Sequence, residues 1–264
     1  MEVAEMAKHR RRWNRSVYEK YISEGRGQGN LQEYKPWIRV QDFASRGIVS
    51  RIYSPKTSRI HHLLSNNELH YFYLLEWSEK VTDIREQFPL HDLETAMSKA
   101  AGAGIAYPTD KSSGFPYVMT CDFMLTTRSG LKARTIKQVS ELSNPRVMEK
   151  LEIERRYWAH VGIDWKLVTD RDIDVPKARA IEWVRQVGSI DHICKDSAFL
   201  AEAAERFAKN DSPLSAARSL DNDYLLPEGT GLLVLKQLIQ AKQIKVKRPF
   251  FLGAVNLGAL CDII

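Results

Sequence analysis

Cysteine is scarce in this sequence of 264 residues, and the three that occur, Cys121, Cys194 and Cys261, lie far apart. Their odd number and wide spacing exclude a framework of paired disulfides and match no zinc motif. The adjacent His61 and His62 have no cysteine or third histidine at ligand spacing, so structural or phosphate-contact roles are favoured over metal binding. The cysteine content predicts a reduced, cytoplasmic setting.

Long apolar runs are also missing. No apolar segment follows the charges near the N-terminus, and the apolar stretch 251–264 is short and interrupted by Asn256 and Asp262. These features predict a soluble protein with no signal peptide and no membrane partner. At 44% hydrophobic residues the chain is long enough for one large domain or two smaller ones, and we expect two.

Positive charge is in excess, with 39 Lys and Arg residues against 33 Asp and Glu residues. Residues 1–40 contain nine Lys and Arg residues against five glutamates. Such a balance suits a polyanionic partner. The candidate DNA contacts are Lys8, Arg10, Arg11, Arg12, Arg15 and Arg26. A solvated helix end is the alternative for the cluster. The segment Gly25–Gly29 does not join a strand to a helix, so we interpret it as a flexible, basic connector instead of a nucleotide loop.

Two neighbouring segments have the pattern of an antiparallel hairpin. Residues 117–125 form an apolar run and residues 131–139 alternate with period two, with turn-forming residues between them. If Ser129 and Gly130 are the central residues of a tight turn, Asp122 faces Lys137. Facing residues have Cβ atoms about 4.5 to 5.5 Å apart, close enough for a metal-binding carboxylate and an ammonium group to act on one phosphate.

The acid in this apolar strand has two explanations. A buried carboxylate is costly unless it is paired or binds a metal. A cross-strand salt bridge between Asp122 and Lys137 is therefore the alternative to a metal site. Glu68 has a structural explanation as well, because the segment Ser65–Glu68 has the spacing of a capping box at the start of a helix. A glutamate in a first helical turn could also hold a metal.

The order of elements indicates the fold class. After the capped helix come a strand at 80–88, an irregular insertion at 89–116, the hairpin, a helix over 144–162 and a strand at 163–169. A crossover through the second helix would make the last two strands parallel neighbours. This order is the αβββαβ core of restriction-endonuclease-like nucleases, an α/β fold, and we place that domain at 41–170, after a basic arm and helix at 1–40.

Several longer motifs resemble one family, the TnsA subunit of heteromeric cut-and-paste transposases, an endonuclease that cuts at transposon ends. The resemblance covers about residues 20–170 and is carried by Gly25–Gly29, Arg51–Ser54, His61–Ser65, Glu68–Leu69, Glu76–Trp77, Asp83–Leu90, Asp122–Phe123 and Glu149–Trp158. Ordered matches of mixed residue types are far more specific than a three-residue spacing.

The resemblance implies that Glu68, Asp122 and Lys137 are a catalytic triad. The two acids would hold Mg²⁺, with Mn²⁺ as a substitute, and the lysine would steer the attacking water and the scissile phosphate. Glu154 is a further candidate for the outer part of the site. One departure is Thr135, where the wider fold has an acidic residue two positions before the lysine. Fewer anionic ligands remain, so a second ion would rely on backbone oxygen, water and phosphate.

Past residue 170 the pattern is mainly helical. Residues 176–187, 197–208 and 232–239 predict three helices, and residues 244–247 and 254–257 predict the strands of a wing, giving a winged-helix-like domain over 171–264. Lys242, Lys245, Lys247 and Arg248 would suit DNA. The resemblance instead implies protein contacts with the transposition ATPase.

The function predicted at this stage is a magnesium-dependent DNA endonuclease. By resemblance, it would cut double-stranded DNA at the 5′ ends of a mobile element, while a TnsB-like transposase subunit cuts and joins the 3′ ends and a TnsC-like AAA+ ATPase takes part. A stand-alone restriction or repair nuclease is one alternative. A non-catalytic DNA-binding adaptor is the other.

Overall fold

The computed structural model describes residues 13–42, 48–186, 196–209 and 212–244, and the backbone of two short strands beyond them. The chain divides into two compact units, Met1–Ile173 and Asp174–Ile264. Within these described ranges, no helix combines the length and the apolar character needed to cross a membrane.

The first unit contains a mixed four-stranded sheet and a separate hairpin. Its helices are α1 (Arg15–Ser23), α2 (Asn66–Trp77), α3 (Leu93–Ala101) and α4 (Pro145–His160), and its strands are β1 (Ser50–Ser54), β2 (Arg59–Leu63), β3 (Val81–Pro89), β4 (Thr120–Thr127), β5 (Gly130–Lys137) and β6 (Asp164–Thr169). The sheet order is β3-β4-β5-β6, and β1 pairs with β2. The α/β class is confirmed, and so is the parallel pairing of β5 with β6 across α4.

A cluster of buried side chains joins the sheet to the two helices α3 and α4. It consists of Leu90, Ala96, Cys121, Met124, Ala133, Tyr157 and Trp158. Burying a side chain of the size of leucine or methionine contributes roughly 1.5 to 3 kcal/mol, so this cluster is a main source of the unit's stability.

The register of the β4–β5 hairpin differs from the prediction. Thr127 pairs with Gly130 and Phe123 with Arg134, so the turn is centred on Arg128 and Ser129 and not on Ser129 and Gly130. Asp122 therefore does not face Lys137, and the predicted direct pairing is wrong. The shift is two residues, however, and side chains alternate with period two. Both side chains consequently remain on the same face of the sheet.

Three further segments differ from the sequence-based expectations. The insertion predicted to be irregular contains α3, capped by Asp92, whose side chain accepts a hydrogen bond from Thr95 N. The two histidines precede α2 and lie on β2, a strand that the sequence-based order of elements did not include. The segment Gly25–Gly29 is an ordered turn and not a flexible connector: Gly27 N donates to Lys35 O at 2.6 Å. Gly27 has a φ of +75°, and a Cβ there would lie 2.4 Å from Pro89 Cγ, so only glycine fits.

In its described residues, the second unit has four helices where three were predicted. They are α5 (Val175–Arg185), α6 (Ser197–Lys209), α7 (Pro213–Asp223) and α8 (Thr230–Gln240). Helix α7 was not predicted because its buried residues include the small Ala216 and Ala217, which give a weak apolar pattern. Its N-cap Ser212 and the proline at its first position were signals of a helix start.

The strands near the C-terminus overlap the predicted wing only in part. Strand β7 (Phe251–Leu252) pairs with β8 (Val255–Asn256), which falls inside the predicted segment 254–257. The other predicted strand, 244–247, lies almost wholly outside the described residues, as do Lys245, Lys247 and Arg248. The winged-helix arrangement stays a prediction.

Candidate active site

Glu68 lies in the first turn of α2, where the predicted cap is present. Glu68 N donates to Ser65 Oγ at 3.2 Å, and Ser65 Oγ donates in return to Glu68 Oε1 at 2.9 Å. The other carboxylate oxygen accepts from Leu64 N at 3.0 Å. The residue is only 6% exposed. Burial, and then the nearby charge of Asp122, raise the pKa of Glu68 to about 7.

Asp122 projects from β4 towards the same point. Its Oδ2 accepts from Ile136 N at 2.6 Å, and its Oδ1 accepts from Gln87 Nε2 at 3.3 Å. The same nitrogen donates to Glu68 Oε2, also at 3.3 Å. The two carboxylates, which come from α2 and β4, therefore converge on a single amide group. This limits the separation of the two oxygens to twice 3.3 Å at most. The ligands of one Mg²⁺ lie no more than about 4.2 Å apart, so the carboxylates are neighbours and a shared ion would set their final spacing.

Lys137 ends β5 beside this pair. Its Nζ donates to Ile136 O at 2.9 Å. Burial favours the neutral amine, but the negative charges of Asp122, Glu154, Glu141 and Glu68 outweigh it and raise the pKa of Lys137 above its ordinary value. The ion pairs among the described residues do not include one between Lys137 and Asp122. The alternative of a direct cross-strand salt bridge is therefore not what the structure contains.

Glu154 reaches the sheet from α4 and meets Thr135. The Thr135 hydroxyl donates to Glu154 Oε2, and Trp165 Nε1 contacts both, at 3.1 Å from Thr135 Oγ1 and 3.3 Å from Glu154 Oε2. Burial raises the pKa of Glu154 to about 8, and Asp122 adds to this while the bond from Thr135 opposes it. The carboxyl is thus mainly protonated at neutral pH. Thr135, the residue that departs from the nuclease pattern, is a hydrogen-bond partner of this buried acid.

The pKa of Glu154 predicts a pH-dependent effect of Glu154→Gln. Between pH 4.5, its ordinary pKa, and about 8, the unfolded chain loses a proton that the folded chain keeps. The free energy of unfolding of the natural protein should therefore fall, relative to the variant, by up to about 1.4 kcal/mol for each pH unit in that window. Above it no further loss is expected. Urea unfolding at pH 5, 6.5 and 8 measures the difference.

Glu149→Gln is the matched control, because Glu149 is on the same helix but exposed, in an ion pair with Arg146. A difference between Glu154→Gln and the natural protein that stays constant from pH 5 to pH 8 would contradict the assignment of a raised pKa.

The donor set fits one mode of metal binding and excludes another. Within the described part of the chain, no three or more His, Cys, Asp or Glu side chains are grouped so that they could hold a metal ion. A cage made by the protein alone is therefore not available there. Magnesium, however, is commonly bound by one or two carboxylates together with water and substrate phosphate. Glu68 and Asp122 match this mode, and the raised pKa of Glu68 reflects a site that favours additional positive charge.

The predicted DNA contacts fall into three groups. Lys8, Arg10, Arg11 and Arg12 lie outside the described residues. Arg15 is exposed on α1, with its guanidinium carbon 5.7 Å from the Phe115 ring centroid. Arg26 is buried and pairs with Asp42 at 2.6 Å and Glu24 at 2.8 Å. Its guanidinium is occupied within the fold, and this placement favours a structural role over a DNA contact.

Both histidines have hydrogen-bond partners within the fold. His61 is fully buried, with Nδ1 2.8 Å from Glu86 Oε2 and Nε2 2.7 Å from Thr57 Oγ1. His62 Nδ1 accepts from Val40 N at 3.3 Å. Two residues at this site were missed from the sequence, namely Glu86 and Gln87. Because β3 is polar at most of its positions, the sequence offers no local signal that distinguishes these two residues.

Comparisons with known proteins find related sequences over both units. The family described as "TnsA-like endonuclease N terminal" matches residues 78–170, and "TnsA endonuclease C terminal" matches residues 172–247. The chain is similar to the Escherichia coli protein named "Transposon Tn7 transposition protein TnsA", with 44% identity over 169 residues. That alignment covers 63% of this chain and 61% of the relative. The protein belongs to the TnsA-like endonuclease family.

Proposed function

We propose that the protein is a divalent-metal-dependent DNA endonuclease that acts in cut-and-paste transposition. The observation that carries the proposal is the convergence of Glu68 and Asp122 on one amide group, with a charged lysine, Lys137, beside them. Apart from α3, which is inserted between β3 and β4, the order α2-β3-β4-β5-α4-β6 is that of a restriction-endonuclease-like core and supports the same activity. The family description adds support for DNA cleavage, and the relative's name for transposition.

Glu68 and Asp122 are the residues that would hold Mg²⁺, or Mn²⁺ in its place. When bound, such an ion lowers the pKa of a water molecule and neutralises charge on the leaving oxygen. The chain's own groups do the positioning. Lys137 carries its full positive charge at neutral pH and offsets the charge that accumulates on the phosphate. Ile136 N fixes one oxygen of Asp122, so the carboxylate is oriented before DNA arrives.

The proposed substrate is double-stranded DNA at the ends of a mobile element, with hydrolysis at the 5′ ends. The net charge of +6 suits this polyanion. The proposed partners are a TnsB-like transposase subunit for the 3′ ends and a TnsC-like AAA+ ATPase. We assign the second unit, with its helices α5 to α8 followed by the β7–β8 pair, to a winged-helix-like module that contacts the ATPase.

A strand-mapped cleavage assay tests the proposal. The substrate is a plasmid that carries the element's ends, incubated with Mg²⁺ or with a chelator, and with or without the companion transposase and ATPase. The expected products are nicks at the 5′ ends that require Mg²⁺ and the companions. Cutting of naked DNA without partners would favour a stand-alone nuclease. Binding to the ends without cutting under every condition would favour an adaptor.

Lys137→Ala is expected to slow cleavage by about 10²-fold while DNA affinity changes little, because one charged group at the phosphate is lost. Lys137→Arg should recover part of the rate, since it keeps the charge but not the position. The rate is measured in single-turnover cleavage and the affinity by electrophoretic mobility shift. Lys132→Ala is the matched control, because Lys132 is on the same strand and pairs with Asp164. Equal rates for Lys137→Ala and the control would contradict the assigned role.

A further inference from the structure

Gln87 occupies the centre of the proposed site. Its side chain is on β3, is only 3% exposed, and donates through one nitrogen to both Glu68 and Asp122. We infer that Gln87 is a third, neutral ligand of the cation that Glu68 and Asp122 hold, binding it through the side-chain oxygen. This inference rests on the proposed function, and it gives the site a residue that a search for acidic groups overlooks.

The side chain is placed where the two carboxylates need positive charge. Without a cation, the Gln87 amide nitrogen contacts one oxygen of each acid at 3.3 Å. A neutral amide supplies only partial positive charge to the two carboxylates that it contacts. A cation bound by these two oxygens would meet the Gln87 amide as its nearest neighbour. The nitrogen would then have to give way, because an N–H group cannot approach a cation favourably.

Thr120 allows the Gln87 amide to exchange its nitrogen for its oxygen without losing a hydrogen bond. Its hydroxyl donates to Gln87 Oε1 at 3.1 Å in the arrangement without a cation. A half-turn of the amide about its last side-chain bond exchanges oxygen and nitrogen, and the oxygen then faces the carboxylates. A hydroxyl can donate or accept, so Thr120 can accept from the amide nitrogen after the turn. The partner on the far side of the amide is thus satisfied in both orientations.

The backbone at Gln87 also marks the position as unusual. Its φ is +49°, in the left-handed region that a residue other than glycine rarely adopts and that is foreign to a strand. The strained backbone is fixed by Trp37 N, which donates to Gln87 O at 3.2 Å. Strain of this kind persists where the surrounding structure enforces it and is concentrated at functional sites. Here it holds a polar side chain between two acids.

A third oxygen ligand also compensates for a missing one. Thr135 stands where an acidic residue is expected, and its hydroxyl is used by Glu154. Magnesium favours six oxygen ligands in octahedral geometry. A side-chain amide oxygen is a neutral donor that can take one of these positions beside the carboxylates. Gln87 would raise the number of protein oxygens at the site without adding a third negative charge to those of Glu68 and Asp122.

Metal binding without DNA tests the inference, using the full chain, Mn²⁺ and Mg²⁺, and isothermal titration calorimetry. Gln87→Ala is expected to weaken binding by about 10-fold or more, the range found for residues that support a metal site. Gln87→Glu keeps an oxygen at the same position but cannot donate, and is expected to bind at least as tightly as the natural protein. Gln32→Ala, at an exposed glutamine, is the matched control and should bind like the natural protein.

The two glutamine variants separate a ligand from a purely structural donor. If Gln87 only donates to the acids, Gln87→Ala removes a donor that competes with the cation and must bind metal at least as tightly as the natural protein, and this result would overturn the inference. Circular dichroism and thermal melting report whether each variant folds, and Gln87→Met, of similar length and without oxygen, replaces the alanine variant if that one does not. If Asp122→Asn abolishes metal binding and Gln87→Ala leaves it unchanged, the role of Gln87 is overturned and the proposed function is not. Absence of metal binding by the natural protein, both without DNA and with end-containing DNA present, overturns both.

Discussion

Asp122→Asn is expected to reduce DNA cleavage by about 10³-fold or more, with folding and DNA affinity retained. Asparagine keeps the shape of the side chain and an oxygen that accepts from Ile136 N. The variant removes one of the two negative charges proposed to hold the cation. A metal ion contributes several kcal/mol to the transition state, and each 1.4 kcal/mol corresponds to a factor of about ten in rate. Single-turnover cleavage of end-containing DNA measures the loss.

Asp110→Asn is the matched control for this variant. Asp110 lies in a turn before β4, where its side chain accepts from Ser112 N and Ser113 N, both at 3.0 Å, and asparagine can accept the same bonds. The chemical change is identical, but this acid has no place in the proposed site. Transposon excision at the natural rate by Asp122→Asn would show that the acid merely stabilises the hairpin, and the adaptor function would then be preferred.

Glu86→Ala is expected to lower the free energy of unfolding by about 3 to 5 kcal/mol, the largest stability effect in the first unit. Glu86 is fully buried and accepts from Arg59 Nη1 at 2.8 Å and Arg59 Nη2 at 2.6 Å. It also accepts from His62 N at 3.0 Å and contacts His61 Nδ1 at 2.8 Å. Removing it leaves the Arg59 charge buried without its partner. Urea unfolding at pH 7 measures the change.

A double variant identifies the cause of that loss. Arg59→Met combined with Glu86→Leu removes both charges and is expected to recover most of the stability, because a buried ion pair is seldom better than apolar packing. Glu149→Gln, at a surface ion pair, should change the stability by less than about 1 kcal/mol. Equal losses in the single and double variants would contradict the explanation by an uncompensated charge.

The same network predicts how the protein responds to acid. Although burial opposes ionisation, His61 and Arg59 outweigh it and hold the pKa of Glu86 well below its ordinary value of 4.5. A group with a lowered pKa in the folded state contributes stability above its unfolded pKa. The contribution of Glu86 is therefore present above pH 4.5 and is lost as the pH falls below it. The β1–β2 hairpin, which Arg59 and His61 attach to β3, depends on this ion pair.

Local signals in the sequence located much of the site. The cap at Ser65 placed Glu68 in a first helical turn, because a cap involves residues only three apart. The alternating pattern after the turn put Asp122 and Lys137 on one face, and this survived an error of two residues in the register. The register itself was not predictable, since Arg128, Ser129 and Gly130 all suit tight turns.

The sequence by itself determined the order of α2, the four strands of the sheet and α4, together with the start of α2 and the faces of the hairpin strands, because periodicity and caps act over a few residues. Only the tertiary structure decided which buried polar groups meet. It placed the Gln87 amide between two acids, paired Arg26 with Asp42 and formed the hydrogen bond between Thr135 and Glu154. Partners of this kind come from different elements, and a local pattern shows that a buried polar group needs a partner without showing which one.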